Sequence, residues 1–482
     1  MTAIAFPAPD LRVVAAREAI VAGLVAILGE RHVIASLDER RAYETDGFNA
    51  YRAVPLAVVL PGTTEEVSRV LGFLGEHRVK VVARGAGTSL SGGAIPSEDC
   101  VIVGLARMNR ILAIDYENRT ARVEAGVTNI NITHAVSGRG FFYAPDPSSQ
   151  LACTIAGNIA MNSGGAHCLK YGVTTNNVLG VRMVLVDGTI VDLGGDALDS
   201  PGYDLLGLVT GSEGQLGIVT EATVRILRAA EGARPMLMGF DSAEAAGGCV
   251  AAIIGSGIVP VAIEYMDRPC IHACEAFAHA GYPLDVEALL IVEVEGSESE
   301  IEDLLQRITF IAMRFAPKVM RTSKSEAETA AIWKGRKAAF GAVGQISEAY
   351  FCMDGVIPTG RLPEVLTKVS AICASHGVQV ANVFHAGDGN LHPLILYDPN
   401  NAEQLAAAEE AGADILKLCV DVGGCLTGEH GVGIEKRDLM PFQFNRQDLA
   451  IQMAVKSALD PQWLLNPGKV FPLEGRPATG NG

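Results

Sequence analysis

Residues 84–94 read RGAGTSLSGGA, a glycine-rich loop that leaves one apolar run at residues 79–83 and is followed by another at residues 101–105. A glycine-rich turn directly after a strand is the mark of a dinucleotide-binding Rossmann unit, but the G-x-G-x-x-G fingerprint fails here. Leu90 stands where the third glycine would be, and no helical pattern follows. The Rossmann reading is therefore rejected. What remains is a loop whose bare amides can line up on an anion, beside the hydroxyls of Thr88 and Ser89, as in a phosphate-binding nest. Such a loop also serves simply as a turn, and the segment alone leaves both readings open.

The surrounding chain alternates strands and helices. Apolar spacing predicts a helix over residues 13–28 ended by Gly29, a strand at 57–60, and a helix from the capping box Thr63-Thr64-Glu65-Glu66 to about His77. Two strands are expected around Glu117-Asn118-Arg119, a helix over 128–137, and a hairpin over 177–193 turning at Asp187-Gly188. Residues 142–172 carry small and polar side chains where a core would need bulk, so a flat ligand can lie against the backbone. From residue 235 to 319 helices alternate with β-rich runs, as in a separate α+β module. Helices follow over 298–315, 327–339, 362–376, 402–422 and 447–459, with a strand at 350–357. The tail beyond Pro472 reads as disordered.

Within VFHAGDGNLHPLIL, residues 383–396, two histidines flank an Asp-Gly dipeptide in an apolar run. A type I′ turn needs φ > 0 at both central residues, which Asp388-Gly389 favours. A two-residue turn there would pair His392 directly with His385. Their Cβ atoms would then lie roughly 5 Å apart on one sheet face, close enough for both imidazoles to reach one metal ion. Ordinary sheets also contain such pairs.

With 482 residues, the chain should form two to four domains. A net charge of −17 argues against a nucleic-acid surface, because phosphate neutralisation needs a basic face. The ten cysteines include no C-x-x-C, so neither an iron–sulfur ligand set nor a structural zinc site is written. The first ten residues lack the basic region of a secretory leader, and free thiols in a cytoplasmic protein are expected. No stretch is apolar enough for a membrane span.

Three separated segments, RGAGTSLSGGA, CTIAGNIAMNSGG and GSEGQLGIVTEATV, together resemble the flavin domain of the vanillyl-alcohol oxidase superfamily. HAGDGNLH and GEHGVG resemble its FAD-linked 2-hydroxyacid dehydrogenase branch, and the resemblance runs from about Tyr43 to Pro472. It implies an α+β fold: a two-lobed PCMH-type (p-cresol methylhydroxylase-type) FAD-binding domain, a substrate or cap domain on an antiparallel sheet, and a C-terminal segment returning to the flavin domain. The expected divisions are a helical segment 1–48, the FAD domain 49–228, the cap with a metal site 229–445, the returning segment 446–472 and a disordered tail 473–482.

By position in that resemblance, Gly85, Ala86, Gly87, Thr88, Ser89 and Gly92 would hold the pyrophosphate of FAD. Pro145, Asp146, Ser148, Thr154, Gly157, Asn158 and Gly164 would line the flavin and ribityl chain, Glu213, Gly217 and Ile218 the adenosine side, and Asn466 would fold back onto the cofactor. Thr88 replaces the histidine that covalent members carry, which implies non-covalent FAD. His385, His392 and Glu429 would ligate a divalent metal, zinc or else iron or manganese, leaving positions open for substrate. Metal coordination acidifies a hydroxyl, and His430 would take its proton as hydride passes to the flavin. Arg336, three residues after Trp333, would clamp the substrate carboxylate through two parallel bonds.

The activity so implied is oxidation of a small D-2-hydroxy acid, foremost glycolate to glyoxylate. Relatives acting on 2-hydroxyglutarate carry a lysine near the position of Cys352, which weakens that substrate here. Electrons would pass to a second flavin subunit and an iron–sulfur subunit, with membrane contact only through such partners. A stand-alone D-lactate or D-2-hydroxyglutarate dehydrogenase would share every motif. A metal-dependent hydrolase is the alternative if the flavin resemblance misleads.

Overall fold

The structure is a computed structural model that describes residues 4–197 and 202–473. The expected disordered tail, apart from Leu473, lies outside the described residues. The fold is α+β, and the chain forms two compact units. Of the described residues, one unit contains those up to Gly164, those between Gly172 and Arg228 and those from Glu429 on; the other contains Gly165–Tyr171 and Ala229–Gly428.

The first unit is built on two main sheets. In the four-stranded sheet the order is Val33–Ile34, Ala57–Val59, Cys100–Gly104, Lys80–Arg84, with the last three parallel. Helix Thr64–Glu76 makes the connection from Ala57–Val59 to Lys80–Arg84 and buries Val67, Val70, Leu71 and Leu74, each worth about 1.5–3 kcal/mol of hydrophobic transfer. Its cap is real but shifted: Thr63 Oγ1 accepts Glu66 N at 3.2 Å, while the Glu66 carboxylate accepts Gly62 N at 2.7 Å instead of Thr63 N. The five-stranded antiparallel sheet runs Ile111–Asp115, Thr120–Glu124, Ile218–Arg225, Val178–Val184, Ile190–Gly194. Side chains from both sheets, including Val59, Val81, Val123 and Val224, share one core. Late in the chain, Val81 N donates to Leu464 O at 2.8 Å and Asn466 N to Val81 O at 2.7 Å, so the C-terminal segment returns beside the strand that feeds the glycine-rich loop. The expected first helix is two, Leu11–Ala15 and Arg17–Leu28, broken at Ala16.

The second unit is a nine-stranded sheet flanked by helices. Its centre is antiparallel: Gly232–Phe240, Ala288–Gly296, Ala262–Asp267 and Gln379–His385 lie side by side. The expected strand over 350–357 is interrupted. Ala349–Cys352 pairs with Pro393–Tyr397, and Gly355–Val356 pairs with Asn390–Leu391. At the break Asp354 turns inward, where its carboxylate accepts Gly428 N at 3.1 Å and Thr427 Oγ1 at 2.5 Å.

The histidine hairpin also differs from expectation. His385 pairs with Asn390, not His392, so the loop is the four residues Ala386 to Gly389. Gly387 N leaves the hairpin to bond Ile263 O at 3.1 Å. Only Gly389 of the Asp-Gly pair has positive φ, at 80°, so the turn is not type I′. Asn382 opposite Pro393 keeps the same register, which sets His392 two residues along from Asn390 on the same face. The histidines are diagonal neighbours, with ring centroids 5.2 Å apart and planes at 79°.

Candidate active site

In the second unit a row of polar side chains crosses an otherwise apolar sheet. Glu264 lies directly opposite His385 in the strand register. One Glu264 oxygen meets His385 Nδ1 at 2.8 Å; the other receives Arg336 Nε at 2.7 Å and Nη2 at 2.6 Å. All three side chains are buried. Burial alone would push the Glu264 carboxyl up, but the adjacent Arg336 and His385 outweigh it and hold it below its ordinary value. The same pairing holds Arg336 above its ordinary value in spite of burial.

His385 and His392 each bring a ring nitrogen within 4.8 Å of the other, and Asp354 stands 3.5 Å from His392 Nε2. Next along the row, Trp333 Nε1 donates to Glu293 at 2.7 Å, and His167 lies 3.3 Å from the same carboxylate. The histidine pair could hold a divalent cation: with Nδ1 against Glu264, Nε2 is the His385 nitrogen that could ligate one. Arg336 differs from the expected clamp. Its Nε–Nη2 edge is committed to Glu264, which leaves the Nη1 side for a carboxylate. Lys337 is exposed, and Cys352 packs in the core.

In the first unit the glycine-rich loop, Thr154, Glu213, the segment Glu429 to Gly433 and Asn466 come together. A Cβ on Gly85 would stand 2.2 Å from Thr154 Oγ1. That hydroxyl is buried and has no hydrogen-bond partner among the described residues, as suits a donor meant for a ligand. Ser89 Oγ accepts Gly93 N at 3.1 Å, folding the loop on itself. Asn466 Nδ2 donates to Gly93 O at 3.1 Å and Glu213 O at 2.5 Å. The Glu213 carboxylate accepts Val432 N at 2.6 Å and Gly433 N at 2.8 Å, and Gly164 N donates to Glu429 at 3.0 Å. Ser91 Oγ donates to His430 O at 2.9 Å.

Other expected residues support from further out. Asn158 is buried and accepts Asn129 Nδ2 at 3.1 Å, and the same amide reaches Pro145 O at 2.9 Å, tying the Pro145–Asp146 segment to it. Gly157 and Gly164 lie on this same stretch; Ala86 and Ser148 are exposed, while Gly87, Thr88 and Gly92 complete the loop. Gly217 packs against Met183, and the Ile218 side chain belongs to the hydrophobic core. A loop of close-packed glycines with an unsatisfied buried hydroxyl fits a phosphate-bearing cofactor.

The sequence matches the FAD linked oxidases, C-terminal domain, over residues 230–470 and the FAD binding domain over residues 55–194. The chain belongs to the FAD-linked oxidases. It is 51% identical to glycolate oxidase subunit GlcD of Escherichia coli (strain K12), over 89% of this chain and 86% of that one. To the subunit of the same name from Bacillus subtilis (strain 168) it is 37% identical, over 94% and 97% of the two chains. A D-lactate dehydrogenase of Archaeoglobus fulgidus is 31% identical, over 90% and 95%. Among solved structures, p-cresol methylhydroxylase with substrate bound has a TM-score of 0.79 at 17% identity, covering 95% of this chain and 97% of that one. A 4-ethylphenol oxidase from Gulosibacter chungangensis scores 0.79 at 17% identity, covering 96% and 98%. These two share the α+β fold expected from the motifs, and the flavin-binding part rests on the matched FAD binding domain.

For this FAD-linked oxidase, Glu264, Asp354 and Glu293 are the polar residues that sequence reading passed over. Glu264 had a signal: in AIEYMD it is a carboxylate flanked by apolar residues in the buried middle of a strand, and a buried charge needs a partner. Asp354 lay hidden in a run read as one strand. No described helix is long and apolar enough to cross a membrane.

Proposed function

We propose that this FAD-linked oxidase oxidises a small D-2-hydroxy acid, with glycolate to glyoxylate the foremost reaction. The observation that carries the reading is the buried Arg336–Glu264–His385 chain with His392 beside it, in a member of a flavin-dependent family. Identity to the GlcD subunits supports glycolate. FAD, when bound, supplies the hydride acceptor. The amides of Gly85, Gly87 and Gly92 with Thr88 and Ser89 hold its phosphates, and Thr154 contributes a hydroxyl. Thr88 offers no covalent attachment, so the cofactor is held non-covalently.

His385 and His392, with Glu429 as third ligand, would hold a divalent metal, and that ion would polarise the substrate hydroxyl. His430 takes the hydroxyl proton. Arg336 faces the substrate carboxylate with the nitrogen that Glu264 leaves available. The relatives are named as subunits, which supports partner subunits; a second flavin subunit and an iron–sulfur subunit would take the electrons. Anaerobic mixing of the FAD-loaded protein with glycolate tests the reading: the flavin band should bleach. A flavin that stays oxidised with glycolate, D-lactate and D-2-hydroxyglutarate alike would refute it.

A second reading is a stand-alone D-lactate dehydrogenase, and the Archaeoglobus relative's name supports its substrate. Side-by-side turnover of the three acids separates the two. With FAD-binding sequence matched across residues 55–194, the hydrolase alternative loses its premise.

A further inference from the structure

We propose that Glu264 is a positioning residue, which holds His385 in a ligating orientation and at the same time fixes Arg336. The inference rests on the reading that His385 and His392 bind a divalent metal. Glu264 is 1% exposed on a central strand, between neighbours that are all buried. An ion pair so deep in a sheet is a poor way to gain stability, since apolar residues of similar volume usually do as well or better. What an apolar replacement cannot do is bond two specific side chains. The two Glu264 oxygens divide these bonds between them. Oε1 meets His385 Nδ1 at 2.8 Å, and Oε2 receives Nε and Nη2 of Arg336 at 2.7 and 2.6 Å.

The consequences for the two partners are linked. A hydrogen bond at Nδ1 fixes the His385 tautomer and ring orientation and leaves the Nε2 lone pair for a metal. The arginine neutralises the carboxylate without competing for the oxygen that faces the histidine. Arg336 in turn is aimed by its Nε–Nη2 edge, so its remaining nitrogen has a fixed direction. Glu264 thus places the proposed ligand and a cation by one buried group.

The test uses the FAD-loaded full chain, stripped of metal by chelator and titrated with Co²⁺, whose visible d–d absorption reports ligand geometry. Glu264→Gln keeps the shape and loses the charge; Glu264→Gln combined with Arg336→Met leaves no unpaired buried cation and carries the test if the single variant does not fold. Expected is wild-type uptake of Co²⁺, with affinity about 10–100-fold weaker in either variant, an altered d–d spectrum, and an FAD content equal to wild type. Wild-type affinity and spectrum in a folded variant would overturn the inference, leaving Glu264 only a counter-ion for Arg336. No Co²⁺ uptake by the wild type would overturn the metal reading, and this inference with it.

Discussion

Glu213 and Gly433, 220 residues apart in the chain, are joined by a 2.8 Å hydrogen bond from the Gly433 amide to the Glu213 carboxylate. The other carboxylate oxygen takes Val432 N at 2.6 Å, so one acidic side chain secures the loop that follows Glu429 and His430. Gly433 must be glycine there: its φ is +52°, and a Cβ would stand 2.0 Å from Ser91 O. Burial pushes the Glu213 carboxyl up, and the two amides offset part of that.

Glu213→Gln should therefore destabilise the protein by about 1–3 kcal/mol, because the amide NH₂ would face a backbone N–H in place of an acceptor. Urea unfolding of the metal-free, FAD-loaded protein measures it. A change below about 0.5 kcal/mol, the range of ordinary surface substitutions, would mean that the loop is held by other contacts.

Gly85→Ala should lower the ratio of FAD to protein in the purified chain. The new methyl would meet Thr154 Oγ1 at 2.2 Å, so either the loop or the buried hydroxyl must move. Absorbance of the protein at the flavin band against its absorbance at 280 nm gives the ratio. Full occupancy would show that this contact does not shape the cofactor site.

Local rules explain which parts of this molecule could be read in advance. The helix after Thr63 and the strands around Glu117-Asn118-Arg119 follow from caps and turn residues close in sequence. The hairpin at His385 was legible as a hairpin but not in register, because Gly387 bonds Ile263 on a neighbouring strand and so enlarges the loop. Arg336 and His385 both stood out as candidate site residues, yet what joins them did not: Glu264 lies 72 residues from one and 121 from the other. Long-range pairing of buried charges leaves no local periodicity to detect.

Asp46 should give the stability of the protein a distinct pH dependence. Its carboxylate accepts Phe48 N and Ala94 N, both at 2.9 Å, but burial dominates and pushes it up to about 6 from 3.8. Between those values the folded chain holds a proton that the unfolded chain has released. The associated stability is fully present below about pH 3.8 and is lost as pH rises through about 6. The full change is about 3 kcal/mol at 1.36 kcal/mol per pH unit. The difference in unfolding free energy between wild type and Asp46→Asn isolates it, since other groups cancel. A difference that stays flat from pH 4 to 7 would refute the assignment. The lost amide acceptor in the variant adds only a constant offset.

His392→Ala tests the metal reading without disturbing the cofactor. His392 is buried 5.2 Å from His385, ring centre to ring centre, and belongs to the second unit, whereas the glycine-rich loop and Asn466 belong to the first. Removing the imidazole should therefore lower bound metal, measured by elemental analysis after dialysis, while the flavin spectrum and FAD ratio remain those of wild type. Turnover of glycolate with an artificial acceptor should fall by about 10²-fold or more, the scale on which loss of electrostatic stabilisation slows a reaction. Adding Zn²⁺ or Mn²⁺ in excess should restore part of it if the remaining groups still bind the ion weakly, and chelation of the wild type should reproduce the variant. Unchanged turnover in a variant that has lost its metal would separate the ion from the chemistry and leave His385 and His392 with a structural role alone.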